Sequence, residues 1–243
     1  MQKLDILAFR AHPDDIEMGC GGTLAKYISL GKKIGLIDLT QGELGSRGTV
    51  EGRLQEAKKA AKVLGIKIRE NLCMSDGFFA NDKKHQLQII KAIRKYQPDI
   101  VLANALIDRH PDHARAGRLV SDACFLSGLL KIETEEKGKK QKAWRPKAIY
   151  HYIQFKNHTP SFAIDISNFM EIKMNSIKAH QSQFYSSISA EPETFISKPD
   201  FLNVLYERAS DLGRTIGVKY AEGFISERIL GVNLFSDLLF TNL

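Results

Sequence analysis

The sequence predicts an α/β fold of Rossmann-like type, with a mostly parallel sheet, helices on both of its faces and a C-terminal α+β extension. Short apolar segments alternate with helix-forming segments through the first two-thirds of the chain, which is typical of parallel sheets covered by helices. The 243 residues also suffice for one large domain with a full core. We therefore expect a single domain over 1–243, comprising a core over about 1–145 and a C-terminal subdomain over about 146–243.

The four strands of the core are predicted where apolar residues cluster, at 4–10, 34–39, 70–74 and 99–103. Helices are predicted after each strand, at 17–30, 51–64, 82–96 and 112–130. Gly31 and Gly65 directly follow the first two helices, where glycine commonly ends a helix, and the third must end before Pro98. Because crossover connections are right-handed, this series favours the strand order 3-2-1-4.

The C-terminal third predicts a mixture of strands and helices. Strands are expected at 147–152 and 161–166, and helices near 168–184 and at 200–212. The preceding segment, 131–147, is the densest basic cluster of the chain but also holds three glutamates. We interpret it as a solvated surface loop and not as a nucleic-acid site.

Composition limits the classes of function. Hydrophobic residues make up 43% and charged residues 26% of the chain, as in ordinary soluble proteins, and no apolar run approaches the ~20 residues of a membrane span. The N-terminal residues lack a signal-peptide pattern, so we expect a cytoplasmic protein. Cys20, Cys73 and Cys124 form no CxxC pair and are expected to be reduced and mostly buried. The net charge of +7 favours an anionic small substrate.

Two similar motifs carry the chemistry. HPDD at 12–15 follows the first strand, and HPDH at 110–113 follows the fourth. In the order 3-2-1-4 these strands are neighbours, and their carboxyl ends flank the switch point where such sheets place their sites. Alone, each motif would be interpreted as a turn whose aspartate caps the next helix. Together they favour a metal site, because catalytic zinc takes three His or carboxylate ligands and keeps one open position.

These residues resemble the LmbE-like (PIG-L) zinc deacetylases. The resemblance covers most of the chain and includes the segments TQGELGSRG, RLQEA, SDGFF and GVKYAEGF. The last two look especially like the bacillithiol-biosynthesis deacetylases, which remove acetate from N-acetylglucosaminyl malate. The resemblance implies one zinc ion per chain, with Fe²⁺ as an alternative metal, and a homo-oligomer, either a trimer or a hexamer. It implies an N-acetylated sugar as substrate, and neither a nucleic acid nor a membrane as partner.

The resemblance further implies a role for each residue of the two motifs. It makes His12, Asp15 and His113 the zinc ligands, Asp14 the general base and His110 a catalytic histidine. These roles fit amide hydrolysis, which needs an activated water, a stabilised oxyanion and a protonated leaving amine. We expect Asp112 to accept a hydrogen bond from His110 and so to fix the tautomer of that ring.

Substrate contacts are expected from side chains that follow strands two to four. Arg53 is the first choice, because family members carry an arginine in this place, and Arg109 the second. Arg47, in the glycine-rich loop 42–48, is either a contact or a surface arginine. Asp76 is a candidate for binding sugar hydroxyls. His180 resembles a family feature near the substrate pocket, although an interhelical histidine explains it equally well.

Two alternative functions follow from the same sequence. The first is deacetylation of another N-acetyl amino sugar, such as diacetylchitobiose. The second is a nucleotide-binding Rossmann-like module, suggested by the glycines of residues 19–22. Leu24 stands where the dinucleotide fingerprint G-x-G-x-x-G needs its third glycine, which counts against the nucleotide.

Overall fold

A seven-stranded sheet forms the centre of the computed structural model, which describes residues 3–184 and 190–239. The strands are β1 (Ile6–Arg10), β2 (Ile34–Thr40), β3 (Ile68–Met74), β4 (Ile100–Asn104), β5 (Glu135–Glu136), β6 (Lys139–Lys140), β7 (Ala148–Tyr152), β8 (Phe162–Asp165) and β9 (Ala221–Ser226). The helices are α1 (Asp15–Ser29), α2 (Val50–Val63), α3 (Lys83–Tyr96), α4 (Pro111–Leu126), α5 (Met170–Lys178) and α6 (Phe201–Thr215).

The order of the central sheet is β3-β2-β1-β4-β7-β9-β8. Within this sheet the five strands β3, β2, β1, β4 and β7 pair in parallel, whereas β9 runs antiparallel to both of its neighbours. The predicted fold class and the order 3-2-1-4 are therefore confirmed. The C-terminal part extends this same sheet, because β7 pairs with β4 along its whole length.

Helices cover both faces of the sheet. Residues of α3 and α4 pack with β1 and β4 in one apolar cluster, and residues of α1 and α2 pack on the opposite face. A third cluster joins α5 and α6 to α1. Every residue of β1 and β2 is buried, as expected for parallel strands between two helical layers.

Helix α1 bends at Cys20, whose backbone is not helical. At this bend the backbone N–H groups of Gly22 and Thr23 donate hydrogen bonds to the Glu222 carboxylate, at 3.0 and 2.7 Å. The Lys173 ammonium pairs with that carboxylate at 2.6 Å and donates to the carbonyl of Met18. A buried ion pair thus replaces the helical hydrogen bonds that the bend removes.

Two glycines near this bend, Gly19 and Gly22, are required by packing. A Cβ at Gly19 would lie 2.3 Å from the Tyr152 ring, and one at Gly22 would lie 2.7 Å from Ile166. Packing against Tyr152 and Ile166 therefore accounts for Gly19 and Gly22, two of the glycines that suggested a dinucleotide fingerprint.

Some predicted elements differ from the structure. Strand β9 was not predicted, since it contains Gly223 and the buried Glu222 and has no apolar run. The helix expected near 168–184 covers only Met170–Lys178, and the loop expected over 131–147 contains the hairpin β5–β6. Cys73 is exposed, contrary to expectation, whereas Cys20 and Cys124 are buried. In the part of the chain that is described, no helix combines the length and apolar character needed to cross a bilayer.

Candidate active site

The two histidine motifs meet at the carboxyl ends of β1 and β4, which pair in parallel. The ring centroid of His12 lies 4.7 Å from that of His110 and 5.6 Å from that of His113. The His110 and His113 rings stack at 5.1 Å. The predicted convergence of the two motifs is therefore confirmed.

Asp15 lies between two of these rings. Its Oδ2 is 3.5 Å from Nδ1 of His12, and its Oδ1 is 3.0 Å from Nε2 of His113. Burial opposes its ionisation, but the His113 and His12 rings hold the pKa of the carboxyl well below its usual range. The amide of Gln154 also donates to Oδ1 at 2.8 Å. These bonds fix the carboxylate between the two imidazoles.

The opposite nitrogens of both rings face other carboxylates. Nε2 of His12 lies 2.9 Å from Oδ1 of Asp76 and 3.5 Å from Oδ2 of Asp112. Nδ1 of His113 lies 2.7 Å from Oδ2 of Asp108. Each ring thus has one nitrogen toward Asp15 and the other toward an outer carboxylate, an arrangement common around metal-binding histidines.

Among the residues that the structure describes, two groups of three side chains could hold a metal ion, and the ligand atoms within each group lie within 4.8 Å of one another. One consists of His12, His110 and His113, and the other of His12, Asp76 and Asp112. Asp15, predicted as a ligand, belongs to neither group, although it lies against both His12 and His113. The side chains present can therefore supply a His and carboxylate donor set of the kind that zinc uses.

Asp14 does not cap α1. It stands at the N-cap position, but its side chain makes no capping hydrogen bond. The carboxylate is buried, with Oδ1 3.6 Å from Nη2 of Arg53. The capping role that explains such an aspartate elsewhere is therefore absent here, and Asp14 faces the cavity.

His110 caps α4. Its Nδ1 accepts a hydrogen bond from the backbone N–H of Asp112 at 3.2 Å, and Pro111 occupies the first helical turn. Burial and the nearby His12 and His113 rings lower the pKa of His110, which favours its neutral form. The cap fixes the protonation of the ring, because a nitrogen that accepts a hydrogen bond carries no proton.

A cavity of about 470 Å³ opens over these residues. Its lining includes Asp14, Asp15 and the three histidines, together with Met18, Leu44, Arg53, Asp76, Arg109, Phe155, Thr194, Phe195 and Ile196. The volume suits a small ligand and the lining joins apolar and charged groups.

Comparison with known proteins identifies the family. The sequence model for PIG-L, described as GlcNAc-PI de-N-acetylase, matches residues 7–124. The diacetylchitobiose deacetylase of Thermococcus kodakarensis is 30% identical over 90% of this chain and 81% of its own length. The chain belongs to the PIG-L family. Its predicted enzymatic class, an N-deacetylase, is thereby confirmed.

Two solved structures are similar to this PIG-L member over most of its length. The conserved protein TT1542 from Thermus thermophilus superposes with a TM-score of 0.84 at 35% identity, covering 95% of this chain and 98% of that one. The diacetylchitobiose deacetylase of Pyrococcus horikoshii gives 0.78 at 27% identity, covering 96% and 88%.

The arginines of this PIG-L member occupy three different environments. Arg109 is exposed at the cavity, with its guanidinium 5.1 Å from the Phe155 ring and 4.6 Å from the Phe195 ring. Arg53 lines the cavity but is buried, and its Nη1 donates to the carbonyl of Gly42 at 2.7 Å. Arg47 is also buried, so the surface interpretation of it was wrong.

Arg47 holds a neighbouring segment in place. Its guanidinium donates to the carbonyls of Ser182 at 2.8 Å and Pro192 at 2.9 Å. It is not among the residues that line the cavity. The structure therefore does not bring Arg47 to the site, and its hydrogen bonds account for its burial.

One further expectation, a hydrogen bond from His110 to Asp112, is corrected. The Asp112 carboxylate does not contact His110: Oδ2 accepts from Gly77 N at 2.8 Å and Oδ1 from Arg115 at 2.5 Å. Asp76 lines the cavity and its Oδ1 lies 2.9 Å from Nε2 of His12, so its contact with sugar hydroxyls stays a prediction.

Two further residues, His180 and Asp108, lie in positions that the sequence did not determine. His180 is fully buried beside Glu17, with Nε2 3.6 Å from Oε1, and is not part of the cavity wall. Asp108 was missed by the sequence analysis. The one available signal was its place two residues before the HPDH motif, and a lone aspartate in a loop carries no periodic pattern.

Proposed function

We propose that the protein is a zinc-dependent hydrolase that removes acetate from an N-acetylglucosamine derivative, with His12, Asp15 and His113 as metal ligands. The observation that carries the ligand set is the position of Asp15 between Nδ1 of His12 and Nε2 of His113. Catalytic zinc commonly binds two histidines and a carboxylate and keeps one position open. A set of three histidines including His110 is the alternative, but His110 Nδ1 is engaged as a helix cap.

In the proposed reaction the metal would activate the amide and the water, and side chains of the protein would move the protons. When bound to such a donor set, zinc polarises an amide carbonyl and lowers the pKa of water. Asp14 faces the cavity with no capping bond, which suits a general base that takes a proton from the attacking water. A new C–O bond forms, the amide C–N bond breaks, and the leaving amine must gain a proton. His110, which lines the cavity, is the candidate to stabilise the oxyanion or to protonate that amine.

The proposed substrate is N-acetylglucosaminyl malate, as in bacillithiol biosynthesis. Malate carries two carboxylates, and arginine binds planar carboxylates through parallel hydrogen bonds. Arg109 is the arginine at the cavity that best supports malate as part of the substrate. Its guanidinium is exposed, and the Phe155 and Phe195 rings keep it in position. The net charge of +7 is consistent with an anionic ligand.

Diacetylchitobiose is the second candidate substrate. It is supported by the Thermococcus kodakarensis relative, which is 30% identical over most of both chains. Diacetylchitobiose is uncharged, so a site selective for it would not need the positive charge of Arg109. The two substrates therefore make opposite predictions about the value of a cation at the cavity.

Two measurements test the proposal. Purified protein should carry about one divalent metal per chain, and metal analysis should show a large loss in His12→Ala and in His113→Ala. Full metal content in both variants would overturn the ligand set. Acetate release should then be measured with N-acetylglucosaminyl malate, diacetylchitobiose and free N-acetylglucosamine, and the first should give the highest kcat/KM. A higher value for diacetylchitobiose would replace the proposed substrate by the second candidate.

A further inference from the structure

Each imidazole at the site can bind a metal through either of its two nitrogens, but only through one that carries no proton. Which nitrogen is free depends on the hydrogen bond that the other one makes. In this structure the outer nitrogens, Nε2 of His12 and Nδ1 of His113, both face carboxylates. The environment of those carboxylates therefore determines the orientation of both rings.

Asp108 is held so that one oxygen is reserved for His113. Its Oδ1 accepts hydrogen bonds from the backbone N–H groups of Arg109 at 2.8 Å and Lys156 at 2.9 Å. Its Oδ2 lies 2.7 Å from Nδ1 of His113, and its side chain is 1% exposed. Since the two backbone bonds prevent rotation, the second oxygen can serve only as an acceptor for the ring.

Asp76 has the same arrangement on the other side of the site. Its Oδ2 accepts from the backbone N–H of Leu44 at 3.0 Å, and its Oδ1 lies 2.9 Å from Nε2 of His12. Asp112 lies further from the same nitrogen, at 3.5 Å. Both histidines are thus oriented by a carboxylate that the backbone itself fixes.

We infer that Asp108 and Asp76 are positioning residues that keep a proton on Nδ1 of His113 and on Nε2 of His12, and so present Nε2 of His113 and Nδ1 of His12 to the metal. This inference rests on the proposed ligand set. It gives Asp76 a role in the metal site in addition to the sugar contact expected from the sequence, and it assigns a role to Asp108, which the sequence did not suggest.

Asp108→Asn tests the inference with almost no change of shape. The amide oxygen can keep the bonds to Arg109 and Lys156, but the amide nitrogen then donates toward Nδ1 of His113. Nδ1 must become the acceptor, so the proton moves to Nε2 and blocks the nitrogen that faces Asp15. We expect metal affinity to fall by about 10–100-fold, the usual effect of removing such an outer partner.

Asp82→Asn is the matched control, because Asp82 makes the same kind of bond to a histidine far from the site. Its Oδ1 lies 2.8 Å from Nδ1 of His85 and also accepts the backbone N–H of that residue. Asparagine caps helices as well as aspartate does, so α3 should be unaffected. This variant should bind metal as the wild type does.

The measurement is competition for Zn²⁺ between a chromogenic chelator and metal-free protein, together with a thermal melt and ¹⁵N NMR of the histidine rings. The NMR spectra are recorded above about pH 9, where the His113 ring is neutral, because Asp15 and Asp108 outweigh the effect of burial and raise its pKa to about 9. In Asp108→Asn the His113 ring should show its proton on Nε2, a change that a purely structural role would not produce. Asp76→Asn should weaken zinc binding less, since Asp112 can partly replace it. Affinities equal to that of Asp82→Asn, or an unchanged His113 tautomer, would overturn the inference. Absence of zinc binding by the wild type would instead overturn the proposed function.

Discussion

Arg53 and Asp14 form a buried ion pair, with Nη2 of the guanidinium 3.6 Å from Oδ1 of the carboxylate. The same guanidinium lies beneath the glycine-rich loop, where a Cβ at Gly42 would be 2.2 Å from Nη1. Gly42 also has a φ of +68°, a conformation that favours glycine. The loop, the arginine and the candidate base are therefore positioned together.

We predict that Asp14→Asn abolishes most activity and leaves the metal in place. The asparagine keeps the shape of the side chain but cannot accept the proton of the attacking water, so kcat should fall by a factor of ~10² or more. Metal content and kcat are the quantities to compare. Loss of the metal in this variant would mean that Asp14 is a ligand and that the roles of the two neighbouring aspartates are exchanged.

The two arginines of the cavity should affect different kinetic quantities. Arg109→Ala should lower the ratio of kcat/KM for N-acetylglucosaminyl malate to that for free N-acetylglucosamine. The expected loss corresponds to about 1.5–3 kcal/mol, the value of a hydrogen bond to a charged group. Arg53→Ala should lower kcat for both substrates, by up to about 10²-fold if Asp14 is displaced, because its guanidinium already contacts Asp14 and Gly42.

The ratio of the two kcat/KM values, measured in both variants and the wild type, separates these effects. A changed ratio in Arg53→Ala alone would restore Arg53 as the residue that binds the carboxylates, as the sequence suggested. Equal values for the two substrates in the wild type would show that the malate group is not recognised.

The fold was predictable because its signals are periodic and local. Alternating strands and helices, together with the handedness of crossovers, determine the neighbours of β1, and this is why two motifs far apart in sequence were expected to meet. Strand β9 lacked such a signal because Glu222 is buried there as the partner of α1. The contacts of Asp112 and Arg47 depend on side-chain directions that no sequence pattern encodes.

The three cysteines should differ sharply in reactivity. Burial raises the pKa of the Cys20 and Cys124 thiols, whereas Cys73 is exposed on strand β3. A chromogenic disulfide reagent should therefore modify one thiol in the native protein and all three after unfolding. Cys73→Ser provides the control and should remove the native reaction. Rapid modification of two thiols in the native state would contradict the burial of the others.

The last prediction concerns a buried network of charges beneath the HPDD motif. Glu17 accepts from Arg10 at 3.0 Å and lies 3.3 Å from Arg69, which also donates to the carbonyl of Pro13 at 2.6 Å. Burial tends to raise the pKa of Glu17, but Arg10, His180 and Arg69 lower it to about 2. The network therefore stabilises the ionised carboxylate and holds the loop that carries the candidate ligands.

Because the pKa of Glu17 is lower in the folded state, its contribution to stability is present above about pH 4.5 and is lost as the pH falls toward 2. We expect Glu17→Gln to lower the free energy of unfolding near neutral pH by about 3 kcal/mol, and the difference from the wild type to shrink in acid. Urea unfolding at several pH values measures it. Glu51→Gln, an exposed glutamate in the first turn of α2, is the control and should show no such trend. A difference for Glu17→Gln that stays constant down to low pH would show that ionic pairing is not what this carboxylate contributes.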